Sequence, residues 1–260
     1  MPTSISWREQ DLTRDAFLGG RLQLWQPKSG HRIGHDGMLL AAACDASPGD
    51  SVSDFGAGNG GAGIAIASRL PDIDLTLVDI EPSLLDLARL NLEDANVRSA
   101  KVIECDLTAS AKDREATGLL PNVADHIVLN PPFYTEGTVR PSLDLIKRRS
   151  HVSSPDTLER WLKAAAHHVK ANGTLTLIHR AEALVDVLNA AKGRFGNLAI
   201  LPLQPYRGAP AHRIIVAGRA GSKERLRLLP PLALHETKGG EQTEAVAALL
   251  RDGEALPLVV

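Results

Sequence analysis

A short apolar run that ends in a burst of glycines most tightly limits how this 260-residue chain can fold. Ser51-Val52-Ser53-Asp54-Phe55 reads as a buried strand, and Gly56-Ala57-Gly58-Asn59-Gly60-Gly61-Ala62-Gly63 follows at once. Ile64, Ala65, Ile66 and Ala67 then open a helix that must end before Pro71. Strand, glycine turn and helix in that order let a ligand approach the backbone and the positive start of a helix. Gly56, Gly58 and Gly60 are the positions expected to line that approach. Asp79, with Ile80 beside it, ends the next apolar run Leu75-Thr76-Leu77-Val78. That is roughly the twenty-residue offset expected of an acid that grips ribose hydroxyls. Together these features point to a nucleoside-containing cofactor.

Both Gly-x-Gly-x-Gly and Gly-x-Gly-x-x-Gly fit the loop, so the glycines leave the cofactor open. Asp54 narrows the choice. A carboxylate just before the loop would repel a pyrophosphate, whereas it suits a cationic amino group such as that of S-adenosylmethionine. A third strand, Lys101 to Cys105, ends at Asp106-Leu107. Asp106 is expected to accept from an adenine amine while Leu107 packs on the ring; the alternative is that Asp106 caps the following turn.

A further apolar run, His126-Ile127-Val128-Leu129, stops at Asn130-Pro131-Pro132-Phe133. Two prolines in succession can neither continue a helix nor donate to a sheet. The fixed backbone leaves the Pro131 carbonyl and the Asn130 side-chain oxygen free to converge, and two acceptors suit a ligand NH2 group. Phe133 offers a flat face for stacking a planar group. Asn130 to Phe133 are therefore the candidate catalytic residues, and Asn130 also belongs to the cofactor side of the site.

Strand and helix patterns alternate from Ser51 to about Ala191, which predicts a parallel sheet. Leu198 to Leu203, the turn Arg207-Gly208-Ala209-Pro210, and Ala211 to Ala217 read as a hairpin. The expected fold is α/β, a Rossmann-like doubly wound seven-stranded sheet with an antiparallel terminal hairpin. Three regions are expected: an N-terminal appendage over 1–50, a core over 51–218 and a C-terminal extension over 219–260. In the appendage, Arg21 to Trp25 and His31 to Ile33 are expected to form a hairpin ahead of a helix over Met38 to Cys44.

The composition, 43% hydrophobic and 23% charged, is that of a globular protein. No apolar stretch reaches membrane-spanning length, so no membrane partner is expected. Cys44 and Cys105 are isolated and the histidines show no ligand-like pairing, which argues against a disulfide framework or a metal site. The net charge is −2, and positive charge is concentrated locally. From Arg207 to Arg227 six basic residues, Arg213 among them, face one acidic residue, a net of +5. From Thr138 to His151, Arg140, Lys147, Arg148 and Arg149 against Asp144 give +3, close behind Asn130-Pro-Pro-Phe. These clusters suit a nucleic-acid backbone; the alternative is ordinary solvated faces.

The order Asp54-x-Gly-x-Gly-x-Gly, Asp79, Asp106, Asn130-Pro-Pro-Phe resembles class I S-adenosylmethionine-dependent methyltransferases that modify amino nitrogens. Asp15 to Leu22, Gln26-Pro27, Gly30-His31-Arg32 and Gly34-His35-Asp36-Gly37-Met38-Leu39-Leu40-Ala41 are similar to the bacterial tRNA(Val) adenine-N6 methyltransferase family. So are Pro230 to Glu236 and Gln242-Thr243-Glu244 near the C-terminus. Two positions depart from that family: it usually has tyrosine where Phe133 stands, with Tyr134 following here, and tyrosine where Gln242 stands. The resemblance implies S-adenosylmethionine as cofactor, with Gly34 and His35 against its methionine part, and a tRNA adenine amine as acceptor. Phe133 by its stacking face, Tyr134 beside it, and Arg140, Lys147, Arg148, Arg149 and Arg213 by their local charge are the residues expected to meet the RNA. Asp36 lies between His35 and Gly37 in the same implied contact with the cofactor's methionine part; the alternative is that it caps the helix carrying Met38, Leu39 and Leu40. A bacterial cytosol is the expected compartment. The competing activities are a release-factor type glutamine-N5 methyltransferase, a non-catalytic RNA-binding protein and a nicotinamide dehydrogenase.

Overall fold

The computed structural model describes residues 7–29, 32–131 and 155–258. The two-strand appendage comes first. Strand β1 (Leu12–Phe17) pairs antiparallel with β2 (Leu22–Pro27), from Leu12↔Pro27 to Phe17↔Leu22. The partner of the Arg21 to Trp25 segment is thus Leu12–Phe17 and not Arg32 and Ile33; His31, also expected there, lies outside the described residues. The reason is the turn: Leu18, Gly19 and Gly20 all take positive φ, at 50°, 66° and 89°, and reverse the chain before residue 22. Helix α1 (His35–Ala43) follows, with Gly37 through Ala43 all buried.

The main sheet contains β3 (Ser51–Phe55), β4 (Asp74–Asp79), β5 (Ala100–Glu104), β6 (Ala124–Leu129), β7 (Val169–Arg180), β8 (Phe195–Gln204) and β9 (Arg213–Ala220). Their spatial order is β8-β9-β7-β6-β3-β4-β5. β3, β4, β5, β6 and β7 run parallel, and β9 is antiparallel to both β7 and β8. This is the expected seven-stranded sheet with its terminal hairpin. Two short strands, β10 (Arg227–Leu228) and β11 (Leu232–Ala233), add to the outer side of β8.

The connections from β3 to β4 and from β4 to β5 pack on one face and the later ones on the other, so the central strands are buried on both sides and read as continuous apolar runs. One core joins α1 and α2 (Gly61–Arg69) to Val52, Leu77, Val128, Ile178 and Ile215. The other joins α5 (Pro155–His168) and α6 (Leu184–Ala191) to Phe55, Ile127, Leu129, Leu177 and Val216. Helices α3 (Pro82–Asp94) and α4 (Ala111–Ala116) connect the strands between.

The chain's later residues return to its beginning. Thr243 caps the short helix α7 (Glu244–Ala247), its hydroxyl accepting from Val246 N–H at 3.3 Å and donating to the Ala233 carbonyl at 2.8 Å. Beyond it the Leu256 N–H donates to the Ala42 carbonyl at 2.7 Å, and Leu249 and Leu258 enter the α1 core.

After β3 the chain moves outward to β4 and β5, then crosses back to β6 on the other side of β3. Ligands of open α/β sheets bind at such a reversal, outside the carboxyl ends of the strands. The glycine loop, Asp79, Asp106 and Asn130 all lie at that edge.

Candidate active site

The glycine loop owes its shape to alternating backbone handedness. Gly56, Gly58 and Gly60 take φ of 72°, 56° and 88°, where a side chain would be strained. Gly61 is required for a different reason: a Cβ there would stand 2.5 Å from Ile33 of the segment entering α1. The loop's N–H groups are held from within, Gly56 and Ala57 donating to the Val78 carbonyl at 2.8 and 3.0 Å.

Asp79 closes the loop from the neighbouring strand. Its Oδ2 accepts from Gly58 N–H at 2.8 Å and its Oδ1 from Glu81 N–H at 2.9 Å. A carboxylate has about four lone-pair positions, the kind of acceptor that ribose hydroxyls require. Ile80, next to it, is 38% exposed, an apolar surface at the rim of the crevice. Asp54 lies deeper, 2% exposed, with its Oδ2 accepting from Gly63 N–H at 2.9 Å. Burial pushes its carboxyl up to about 7, against the pull of the Gly63 hydrogen bond, with a small push from Asp79. A cationic group arriving there would restore the charged form.

Asp106 is exposed, and its Oδ1 accepts from both the N–H and the hydroxyl of Thr108, at 2.8 and 2.7 Å. It therefore shapes the turn after β5, whatever else it binds. Leu107 is buried beside it.

Asn130 follows the last residue of β6, with Pro131 buried behind it. The Asn130 Oδ1 is shielded from solvent and accepts no hydrogen bond among the described residues. Leaving such an acceptor unsatisfied costs about 1–3 kcal/mol, and a donor on a ligand would recover it. Gly34 precedes the first turn of α1, where a Cβ would meet nothing within 4 Å, and His35 is exposed. Gly34 itself is the residue at the capping position of α1; Asp36 sits inside the first turn. There it accepts from the Arg213 Nε at 2.8 Å, joining α1 to the start of β9. Pro132, Phe133, Tyr134, Arg140, Lys147, Arg148 and Arg149 lie outside the described residues.

Sequence reasoning missed a brace behind the loop. Asn91 of α3 is fully buried; its Oδ1 accepts from Trp25 N–H at 2.7 Å. Its Nδ2 donates to the carbonyls of Trp25 and Asn59, at 3.1 and 2.9 Å. Asn59 returns a bond of 2.9 Å from its own Nδ2 to the Trp25 carbonyl. The hairpin, α3 and the glycine loop are thereby knotted together. The available signal was the apolar stripe Leu84, Leu87, Ala88, Leu92, which Asn91 interrupts, since a polar residue on a buried stripe needs internal partners.

Residues 29–201 match the family model of the methyltransferase small domain. The chain belongs to that family. It is a methyltransferase, and its cofactor is S-adenosylmethionine. The glycine turns, the Asp79 carboxylate and the buried Asp54 carboxyl fit a nucleoside bearing a cationic amino acid. A protein of Porphyromonas gingivalis named tRNA1(Val) (adenine(37)-N6)-methyltransferase is 28% identical over 240 residues, covering 89% of this chain and 92% of that one. A release factor glutamine methyltransferase of Chlorobaculum tepidum is 26% identical over 193 residues, 71% of this chain and 64% of that one. Among solved structures, an Agrobacterium tumefaciens protein described as a predicted O-methyltransferase is 31% identical with a TM-score of 0.72. That similarity covers 85% of this chain and 98% of the other. Among the described residues no helix is long and apolar enough to cross a membrane, and no cluster of acidic, histidine and cysteine side chains could hold a metal.

Proposed function

We propose that this methyltransferase acts on the exocyclic N6 amine of an adenine in tRNA. The observation that carries the reading is the buried, unsatisfied Asn130 Oδ1 at the carboxyl end of β6, beside the glycine loop. An amine offers two N–H donors to the two acceptors, Asn130 Oδ1 and the Pro131 carbonyl. A hydroxyl offers one and would leave the second acceptor bare. The adenine nitrogen is a poor nucleophile because its lone pair delocalises into the ring. Two acceptors holding both N–H bonds draw that nitrogen toward tetrahedral geometry and localise the lone pair. Bound S-adenosylmethionine supplies an electrophilic methyl group. Asp79 would hold its ribose, Ile80 and Leu107 would flank its base, Asp106 would accept from the adenine amine and Asp54 would face its ammonium. Catalysis by this chain is then positioning and electrostatics, and the proton can leave after transfer. Phe133 would stack the acceptor base, which must leave its own stack to be reached.

A glutamine side-chain amide also carries an NH2 group, and the similarity to the release factor enzyme of C. tepidum favours that as the second reading. Adenine is preferred because the P. gingivalis relative matches across 92% of its length, whereas the release factor relative matches across 64%. The test is incubation with labelled S-adenosylmethionine and total bacterial tRNA, followed by nucleoside mass spectrometry. Label in N6-methyladenosine is expected. Label in a release factor with none in N6-methyladenosine would reverse the order.

A further inference from the structure

Charge divides the carboxyl edge of the sheet into two halves. Over β3, β4 and β5 it carries Asp54, Asp79 and Asp106. Over β7 and β9 it carries Arg180 and Arg213, which stand level with one another at the end of the antiparallel ladder. Like charges directly opposite each other on neighbouring strands repel. Each arginine has its own acid: Arg213 meets Asp36 at 2.8 Å and Arg180 meets Glu182.

Strand alternation sets the direction of both side chains. Arg180 shares the face of Ile178 and Arg213 that of Ile215, and both isoleucines belong to the core under α1. The Asp36 contact puts Arg213 on that side directly. Asn130 shares the face of Val128, which belongs to the same core. The β6–β7 register ends at Leu129↔Leu177; continued by one residue, it sets Asn130 level with Ile178 on the adjacent strand. Arg180 then lies two residues, about 7 Å, further out along the same face. Both arginine side chains keep about a quarter of their surface open, 28% and 25%.

From this juxtaposition we propose that Arg180 and Arg213 bind a backbone phosphate of the RNA strand that presents the acceptor base to Asn130. The inference rests on the tRNA reading and names two of its binding groups. A guanidinium fork matches phosphate oxygens two at a time, and the paired acids hold both forks at the rim. Phosphate oxygens exchange for the acid oxygens when RNA docks. The anion lies outside the acceptor pocket, on the side away from the three aspartates. The rival anion is the carboxylate of S-adenosylmethionine.

The test uses the full chain with Arg180→Ala, Arg213→Ala and Arg180→Lys. It measures methylation of tRNA at several salt concentrations and S-adenosylmethionine affinity by calorimetry. Each alanine variant should raise the KM for tRNA about tenfold while the cofactor Kd stays within twofold. The slope of log(kcat/KM) against log salt should become shallower by about 1 for each lost contact. Arg180→Lys should restore the slope without fully restoring KM. Unchanged KM and slope would overturn the proposal, and so would a weakened cofactor Kd with tRNA KM intact. If the wild-type protein methylates no tRNA, the functional reading has failed. The arginines are then judged by fluorescence anisotropy on a labelled single-stranded RNA, where equal affinity of wild type and variants refutes them.

Discussion

Asp54→Asn should make the ligand-free protein more stable, and more so in alkali than in acid. The carboxyl is buried and raised from 3.8 to about 7. In the unfolded chain it ionises near its ordinary value; in the folded chain it keeps its proton until near pH 7. The folded state therefore binds the extra proton between those limits, and stability falls as pH rises through the window. At about 1.4 kcal/mol per pH unit, the penalty is about 4 kcal/mol above pH 7 and about 2 kcal/mol at pH 5. Asparagine has nearly the same shape, its Oδ1 can still accept from Gly63 N–H, and it does not ionise. Urea unfolding of both proteins at pH 5 and pH 8, without cofactor, isolates the effect because other groups cancel in the comparison. The stability gained by the variant should be larger at pH 8 by about 2–3 kcal/mol. Equal gains or losses at the two pH values would refute the reasoning, since the carboxylate would then be ionised in the fold at no cost. The same variant should bind S-adenosylmethionine more weakly at pH 8, read by calorimetry.

Asn130→Ala should lower kcat on tRNA by at least a hundredfold while cofactor Kd stays within a few-fold; lost affinity with normal turnover contradicts the assignment. Asn91→Leu removes three hydrogen bonds that brace the glycine loop. It should cost about 2–4 kcal/mol in urea unfolding and raise the cofactor KM, with kcat at saturation little changed. Gly61→Ala sets a methyl group 2.5 Å from Ile33 and should destabilise by about 1–3 kcal/mol. Ile33→Ala in the same chain should recover part of that loss, and a strictly additive pair of losses would show that the two residues do not meet.

The parallel sheet was legible because its central strands are buried on both faces and the strand ends carry turn-forming or acidic residues. Glycine after Phe55, Asp79 after Val78 and proline after Asn130 each mark a carboxyl end. The hairpin after β7 was legible from its Arg207-Gly208-Ala209-Pro210 turn. The first hairpin was misread because Leu12–Phe17 carries Thr13, Arg14 and Asp15, so its period-two signal is faint beside the apolar Leu22-x-Leu24 opposite. Glycines 19 and 20 were visible, yet the positive φ at Leu18 that completes the turn belongs to a residue type that rarely adopts it. At the site, the residue types were readable and their partners were not. Asp36 as an acid near a helix start suggested a cap, while the structure gives it to Arg213, 177 positions away. Neither did the sequence bring Arg180 next to Arg213, because an antiparallel register fixes that proximity.

The seam between α1 and residues 249–258 sets an order on synthesis. Seven consecutive buried residues of α1 leave the ribosome about two hundred residues before Leu249, Leu256 and Leu258, which help to cover them. At roughly 5–20 residues per second that interval lasts on the order of 10–40 s. Throughout it α1 has only the cover given by α2 and the sheet, and the last part of its burial waits for residues 249–258.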